Sequence, residues 1–511
     1  MRVEGTLDAK KGQGLVVTYQ GFLAVAFLYL VLPLIIFFFG FLKIYWAILF
    51  SALVGAVAFL CVKSVPADKK IEVKKYYPIL VFALCLLWVF IAGVGEFTWS
   101  TTDHNVRAAV LNDLINYDWP VVYDLSTQSN PEVASVVGEG EVAFAYYFLF
   151  WMIPSLAGKA FGVMTARIVL LIWSALGLTL TVTGLGFIQK KPAITALVLF
   201  FFFGGFDAIP YFTEVLTQHI ESSFEGWNRE FYIHGDYYQT MNTFNQAIPC
   251  WLITLIVLTI PGNKYIGFAG SLMFGYSPWS TIGLLPIALC RLLMNKDERR
   301  AKNIFSPGNI LVPLVMLSVF GLYYTANTGA TSLKGFIWEF FPGQIPLMIL
   351  CYLLYVIVEF GVWCALVWKK EKHNIIFLIS IITLLVMPVY KITKANDFLM
   401  RGSLAPMFVI MVAVLIKLDE SVARLKENGN DVKALLTPCL VFVSGFTAIM
   451  LMLVVIGSTK QIITGEDTSV PPRDQIVSFG DIRDESQAEV VQKQFFVYNY
   501  EDRPFYKIFG K

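Results

Sequence analysis

The sequence predicts an all-α polytopic membrane protein with about thirteen transmembrane helices. Hydrophobic residues make up 57% of the 511 residues and charged residues only 15%, whereas roughly a quarter of the residues of a soluble domain are charged. The apolar residues also fall in runs close to the roughly 20 residues that a helix needs to cross a bilayer. A soluble protein of this length is therefore excluded, because the chain has too few polar residues to form the surface around its apolar core.

The apolar runs define the predicted spans, which are 21–41, 43–62, 78–95, 163–187, 192–206, 247–261, 265–276, 279–294, 309–325, 345–368, 374–390, 404–418 and 435–457. The basic clusters between them are 10–11, 63–75, 189–191, 295–302, 368–373 and 417–433. All six clusters fall on one side if the N-terminus is cytoplasmic, as the positive-inside rule requires. We therefore expect a multi-pass protein of the cytoplasmic (cell) membrane.

Two segments need a special interpretation for this topology to hold. The apolar and aromatic stretch 141–162 is expected to lie flat at the outer interface, because a further span there would place two basic clusters outside. The stretch 265–294 is expected to form two short helices that meet at the outer face around Ser277 and Trp279.

The chain divides into three predicted parts. An N-terminal cytoplasmic segment and helical hairpin covers 1–77, a transmembrane core covers 78–457, and an extracytoplasmic tail covers 458–511, whose Tyr and Phe residues suit a small cap on the outer face. The outer loops of the core are 96–162, 207–246, 326–344 and 391–403.

The first outer loop contains TTDHNVRAAVLND, in which an amphipathic helix is expected to begin near His104, with Asp103 at its entry. Asp103 has two interpretations at this point. It is a helix cap, which is the commonest role of an Asp in this position, or it is a functional carboxylate.

The short outer loop KITKANDFLMRGSLAP, 391–406, is unusually basic for its predicted side of the membrane. Lys391 suits an interfacial anchor with a snorkelling side chain. Arg401 lies at the mouth of a predicted span, four residues after Asp397 and close to Asn396. An Arg at membrane depth is costly unless it is paired, and its planar guanidinium suits a phosphate, so we interpret Arg401 as functional.

A third outward region, 204–227, adds Asp207, His219 and Glu221. A substrate role and simple solvation of a surface loop are both open for these residues. The histidines lack the spacing of metal ligands, and the seven cysteines lie in apolar runs. No dedicated metal or cofactor site is therefore expected, although a weakly held divalent cation between carboxylates stays open.

Four segments together resemble the C-type (GT-C) membrane glycosyltransferases of bacteria: TTDHNVRAAVLNDLINYDWPVVY, FNQAIPCWLIT (244–254), GYSPWSTIGLLP (275–286) and NDFLMRGSLAP (396–406). The resemblance covers most of 78–420. It implies transfer of a sugar from a polyprenyl-phosphate donor to a cell-envelope glycan, lipid or protein acceptor, by a single inverting displacement on the extracytoplasmic face. The hairpin before residue 78 departs from the simplest family pattern.

The resemblance also implies roles for individual residues. Asp103 matches the catalytic base, although the second acidic residue common in the family is absent here. Arg401 matches the residue that binds the donor phosphate, with Lys394 and Arg107 as helpers. The expected substrate-binding residues are His104, Asn105, Asp207, His219, Glu221, Asn396 and Asp397.

Three other functions stay open. A ligase or phosphotransferase that moves a whole lipid-linked glycan would use the same phosphate site. A lipid or polysaccharide transporter would place ionisable residues at membrane depth on broken helices, and the predicted spans are nearly free of acidic residues apart from Glu359. A non-catalytic scaffold for envelope assembly is the third. Nothing in the sequence predicts nucleic-acid binding.

Overall fold

The computed structural model of the chain describes residues 14–101, 103–192, 194–213, 225–228, 230–294, 300–327, 329, 334–393, 396–465, 476–482 and 485–511. Within these ranges, seven helical segments are long and apolar enough to cross a membrane. The protein is thus a helical membrane protein, as the composition predicts.

The helices of the first half of the chain are α1 (Tyr19–Phe41), α2 (Ile44–Lys63), α3 (Tyr77–Ile91), α4 (Asp103–Asn116), α5 (Pro131–Val137), α6 (Met152–Phe161), α7 (Val163–Gln189), α8 (Ile194–Phe202), α9 (Ala208–Thr213) and α10 (Asp236–Thr259). Those of the second half are α11 (Ile266–Tyr276), α12 (Pro278–Leu293), α13 (Arg300–Ile304), α14 (Pro307–Thr325), α15 (Ile345–Tyr355), α16 (Val362–Glu371), α17 (Ile375–Val386), α18 (Asp397–Gly402), α19 (Leu404–Glu427), α20 (Val432–Ser444), α21 (Phe446–Thr464), α22 (Glu485–Phe495) and α23 (Pro504–Ile508). A π-helical turn, Val356–Gly361, joins α15 to α16.

Short antiparallel strands connect distant parts of the chain. Strand β1 (Leu15–Thr18) pairs with β2 (Lys70–Val73). Strands β3 (Val122–Asp124), β4 (Glu141–Phe144) and β9 (Phe496–Tyr498) form one sheet in that order. Strand β5 (Lys334–Phe336) pairs with β6 (Tyr390–Ile392), and β7 (Ile476–Ser478) pairs with β8 (Asp481–Ile482).

The predicted spans agree with the helices in some places and not in others. The expected break around Ser277 is confirmed, because α11 ends at Tyr276 and α12 begins at Pro278. The stretch 141–162 forms a strand and short helices and not one long helix. The predicted span 435–457 is confirmed as part of the apolar helical segment Val432–Thr464, in which Gly445 joins α20 to α21 where Phe202 packs too closely for a side chain.

Two predicted boundaries are wrong around the centre of the bundle. The helix in the predicted span 192–206 is only α8, which ends at Phe202, two residues before the Gly204–Gly205 pair. The predicted span 247–261 begins much earlier, at Asp236, so part of the predicted loop 207–246 is helical. The polar residues that made this stretch look like a loop are buried inside the bundle.

The C-terminal segment 485–511 packs onto the end of the bundle that carries α4. Strand β9 extends the β3–β4 hairpin, and Trp46 Nε1 donates a hydrogen bond to the Ile508 carbonyl at 3.0 Å. Asp113 of α4 joins the neighbouring β7–β8 turn, since its Oδ2 accepts the Phe479 N–H at 3.0 Å and the Tyr123 hydroxyl at 2.7 Å. These contacts fix α4 from the side opposite the bundle.

The burial of Asp113 predicts that the free energy of unfolding depends on pH. Burial raises the pKa of the fully buried Asp113 from 3.8 to about 6, opposed by hydrogen bonds from Ser478, Phe479 and Tyr123. Because the folded-state pKa is raised, the stability contributed by protonated Asp113 is fully present below about pH 4 and is lost as pH rises through about 6. We expect Asp113→Asn to remove a pH-dependent stability difference of at most about 3 kcal/mol.

The measurement is thermal unfolding of the purified protein between about pH 4 and pH 7. The matched control is Asp118→Asn, which removes an exposed carboxylate just beyond the same helix. Equal pH slopes for wild type and Asp113→Asn would show that this carboxyl does not titrate in the folded protein.

Candidate anion-binding site

The candidate site is organised by the N-terminal half of α10, which is polar in sequence but almost wholly buried. A helix within a membrane bundle must satisfy such groups internally, because no water competes for them. Its buried polar residues are Asp236, Gln239, Thr240, Asn242, Thr243, Asn245 and Gln246. Thr240 and Thr243 bond within the helix itself, whereas other polar groups of the helix contact the segments that carry the predicted site.

Two hydrogen bonds attach the site segments to α10. Nε2 of His104, in the first turn of α4, lies 2.6 Å from the Met241 carbonyl oxygen, so the ring N–H donates to it. Gln239 Nε2 donates to the Met400 carbonyl at 3.2 Å and so holds α18. The predicted substrate-binding residue His104 is therefore buried and has a structural contact.

Helix α4 presents two charged residues one turn apart. Asp103 is the first residue of the helix, and Arg107 Nη2 lies 3.5 Å from its Oδ2. The Asp103 side chain is 62% exposed and the Arg107 side chain only 9%. The carboxylate therefore lies at the open side of the site and the guanidinium in its interior.

Arg107 is not saturated by this ion pair. Its Nε and Nη1 are buried and have no hydrogen-bond partner among the described residues. A buried donor without a partner costs free energy, and a charged one costs more. Since Arg107 is a charged group in this position, an anion is the ligand that would satisfy it.

Arg401 lies in a similar environment on α18. It forms an ion pair with Asp397, one turn earlier on the same helix, and its side chain is 10% exposed. Its Nε is likewise buried without a partner among the described residues. Helix α18 is pressed against α12, since a Cβ at Gly283 would overlap the Gly402 carbonyl oxygen. This close approach limits how far Arg401 can move.

The two arginines act on one side chain, Tyr146 in the loop after β4. Burial raises the pKa of the Tyr146 phenol, the neighbouring Tyr147 phenol adds to the shift, and the positive charges of Arg107 and Arg401 oppose it. Both guanidinium groups are therefore within electrostatic reach of Tyr146, although they are almost 300 residues apart in sequence. The structure brings together the two segments that the sequence singled out.

His234 lies in the same place and was missed by the sequence reasoning. Burial and the positive charge of Arg401 lower the pKa of His234 from 6.5 to about 3, against the opposing effect of Asp103. The imidazole is therefore neutral at pH 7, and it packs against Tyr238 in a tilted arrangement with ring centroids 3.9 Å apart, with Tyr232 at 5.3 Å. The only available signal was the aromatic run around this histidine, which has no recognised spacing.

The other predicted residues have separate positions. Asn105 is partly buried on α4. Asn396 is buried and donates through Nδ2 to the Glu230 carbonyl at 2.9 Å, which ties α18 to the segment that carries His234. Lys394, His219 and Glu221 lie outside the described residues.

Asp207 belongs to a different environment from the one predicted. It is fully buried, and Trp227 Nε1 donates both to its Oδ1 at 3.2 Å and to Glu359 Oε1 at 3.1 Å. Glu359 is on the π-helical turn between α15 and α16. Asp207 is therefore buried within the protein, and simple solvation of a surface loop is not its role.

Buried acidic residues are more numerous here than the sequence indicated. Glu225 is also buried and accepts the Gly235 N–H at 2.7 Å, and Asp236 begins α10 nearby. Even so, the described residues contain no group of three or more His, Cys, Asp or Glu side chains arranged to hold a metal ion.

The Arg401–Asp397 ion pair predicts that removing one partner destabilises the protein more than removing both. We expect Asp397→Asn to lower the free energy of unfolding by about 3 kcal/mol, because it leaves a buried guanidinium without its counter-charge. The double variant Asp397→Asn, Arg401→Gln should recover most of this loss. Thermal unfolding of the three proteins measures it, and a double variant no more stable than Asp397→Asn would contradict the explanation.

No family model matches the sequence, and no curated protein or solved structure matches it. The resemblance to C-type glycosyltransferases therefore depends on the quoted segments alone. The geometry itself provides two buried arginines with unused donors, a neutral histidine, and an exposed carboxylate, which together form a candidate site for an anionic substrate.

Proposed function

We propose that the protein is a membrane glycosyltransferase of the C type, which transfers a sugar from a polyprenyl-phosphate donor to an acceptor of the cell envelope. The observation that carries the proposal is the pair of arginines, Arg107 and Arg401. Both are more than nine-tenths buried and both retain guanidinium N–H groups without partners among the described residues. Such a pair suits a phosphate, which accepts several charge-assisted hydrogen bonds at once.

The proposed reaction needs positive charge at the leaving phosphate and a base at the acceptor hydroxyl. Glycosyl transfer from a phosphate carrier breaks the bond between the anomeric carbon and the phosphate oxygen, and negative charge collects on the leaving phosphate. Fixed positive charges stabilise that developing charge, which is the proposed role of Arg107 and Arg401. The acceptor hydroxyl loses its proton as it attacks, and Asp103 is proposed to take it. One such displacement inverts the anomeric centre.

The position of Asp103 supports this division. Its side chain is the exposed member of the group, whereas both guanidinium groups are buried. An acceptor arriving from solution would meet Asp103 first, while a lipid-linked phosphate would lie deeper, beside the arginines. Neutral His234 and the adjacent Tyr238 add an aromatic surface that suits the face of a sugar ring.

The proposal extends to the architecture and its orientation. The charge pattern of the sequence places the basic clusters in the cytoplasm, so that the arginine site faces outside, and about thirteen spans complete the bundle. The acceptor class of the proposal is a glycan, lipid or protein of the envelope.

The test supplies purified protein with polyprenyl-phosphate hexoses and pentoses, and measures release of polyprenyl phosphate together with acceptor glycosylation. We expect Asp103→Asn to lower turnover about a hundredfold or more, because the base is lost. Arg401→Gln should lower it by about a hundredfold or more, because charge on the leaving phosphate is no longer stabilised.

Asp118→Asn is the matched control, since it removes an exposed carboxylate near the same helix, and it should keep wild-type turnover. Full activity in Asp103→Asn would refute the assignment of the base. Turnover of a whole lipid-linked glycan, with no turnover of single sugars, would favour the ligase or phosphotransferase instead.

One observation favours a transporter as the second candidate. Glu359 and Asp207 are fully buried carboxyls beside a π-helical turn of the span Ile345–Glu371. Buried carboxyls on interrupted helices are a feature of proton-coupled transport. Asp207 adds to Glu359 as a buried carboxyl of the folded protein, so the near absence of acidic residues from the predicted spans weighs less against a transporter.

The two candidates predict different results in proteoliposomes. If the protein is a transferase, a pH-sensitive dye inside the vesicles should report the same proton leak for wild type and Glu359→Gln. A substrate-driven proton flux that is present in wild type and absent in Glu359→Gln would establish the transporter and overturn our proposal.

A further inference from the structure

A groove lies between α8, α19, α20 and α21, far from the arginine site. Its volume is about 740 Å³. Helix α19 begins at Leu404, beside the arginine site, and reaches the groove at Leu418 and Asp419. At 1.5 Å per residue, this separation along the helix is about 22 Å. The groove is therefore at the opposite end of the bundle.

The groove is bordered by α8 and by the junction of α20 and α21. Helix α8 lines it from Ile194 to Phe202, a described length of about 14 Å. Gly445, which joins α20 to α21, meets Phe202 at the groove. A space is thus left beside α8 that no side chain of the described residues occupies.

The walls of the groove are apolar and open to the side of the bundle. They include Val198, Phe202, Val441 and Ile449, together with Phe442, whose side chain is 66% exposed. A side-facing opening in a membrane bundle is in contact with lipid chains and not with water. The interior of the groove therefore suits an acyl chain.

The rim of the groove is basic. Lys191 and Lys426 both line it, and Lys191 is 54% exposed. The one carboxylate at the rim, Asp419, accepts hydrogen bonds from Gln189 Nε2 and Thr195 Oγ1, each at 2.6 Å, while Lys191 Nζ is farther away, at 3.5 Å. Lys191 lies within ion-pair distance of Asp419, but two lysines against one carboxylate leave the described rim of the groove with a net positive charge.

We propose that this groove binds a phospholipid with an anionic head group, with an acyl chain along the apolar walls and the phosphate between Lys191 and Lys426. Basic pockets between helices at the cytoplasmic surface recognise acidic lipids in this way. A soluble anion would leave the apolar walls empty, and a zwitterionic lipid would bring no net charge to the lysines. The proposal does not depend on the function of the arginine site.

The experiment reconstitutes the full-length protein in nanodiscs that contain phosphatidylglycerol and phosphatidylcholine in equal amounts, and counts retained lipids by native mass spectrometry. We expect retained phosphatidylglycerol to exceed phosphatidylcholine by about fivefold for each lysine. Lys191→Gln combined with Lys426→Gln should remove this preference.

Two further variants separate the charge from the groove. Lys63→Gln with Lys369→Gln removes two exposed lysines elsewhere on the predicted cytoplasmic side, and should keep the wild-type preference. Ala423→Trp adds bulk to the exposed Ala423 at the groove wall, and should reduce retention of both lipids. Equal retention of the two lipids by wild type would overturn the proposal. So would a loss of the phosphatidylglycerol preference in the Lys63→Gln, Lys369→Gln control as large as in the Lys191→Gln, Lys426→Gln variant.

Discussion

The constraint on which the site depends is the burial of the polar half of α10. A polar helix inside an apolar bundle is stable only if its side chains and carbonyl groups find partners within the protein. The Met241 carbonyl meets His104 of α4, Gln239 meets the Met400 carbonyl of α18, and Gln246 accepts the hydroxyl of Ser277 at 2.7 Å. Three segments that are distant in sequence are thereby held around one helix.

Arg107 and Arg401 lie on two segments that α10 holds, and both act electrostatically on Tyr146. Arg107 and Arg401 each have an acidic neighbour one turn earlier on their own helix, Asp103 and Asp397. Those neighbours offset part of each charge locally, and the remaining N–H groups are left for a ligand. Two like charges at low dielectric repel one another, and the contacts of their helices with α10 and α12 oppose that repulsion. Binding of an anion would relieve that repulsion, which links the architecture to the proposed substrate.

The sequence predicted the class of the fold and part of the site. Runs of apolar residues identify the spans because a bilayer imposes a length on them, and Asp103, Arg107 and Arg401 attract attention because charges near a membrane are rare. The sequence misled for α10, since residues such as Gln239 and Asn245 lower the apolar average of a helix that is in fact buried. Its partners come from other segments, and a linear pattern does not contain them.

Contacts with distant segments also explain why the sequence misplaced Asp207 and did not single out His234. Asp207 follows a Gly-Gly pair in a polar stretch, which is typical of a loop, yet the chain there folds inward onto Glu359 and Trp227. His234 has no motif around it and acquires its meaning only from proximity to Arg401 and Asp103. The roles of individual residues in catalysis remain predictions of the resemblance and the geometry together.

The most direct test of the central claim is a structure of the protein with a polyprenyl phosphate bound. We predict that the phosphate lies between α4 and α18, with its oxygens about 3 Å from guanidinium nitrogens of both Arg107 and Arg401. A phosphate bound elsewhere in the bundle, with both arginines unchanged, would contradict the account.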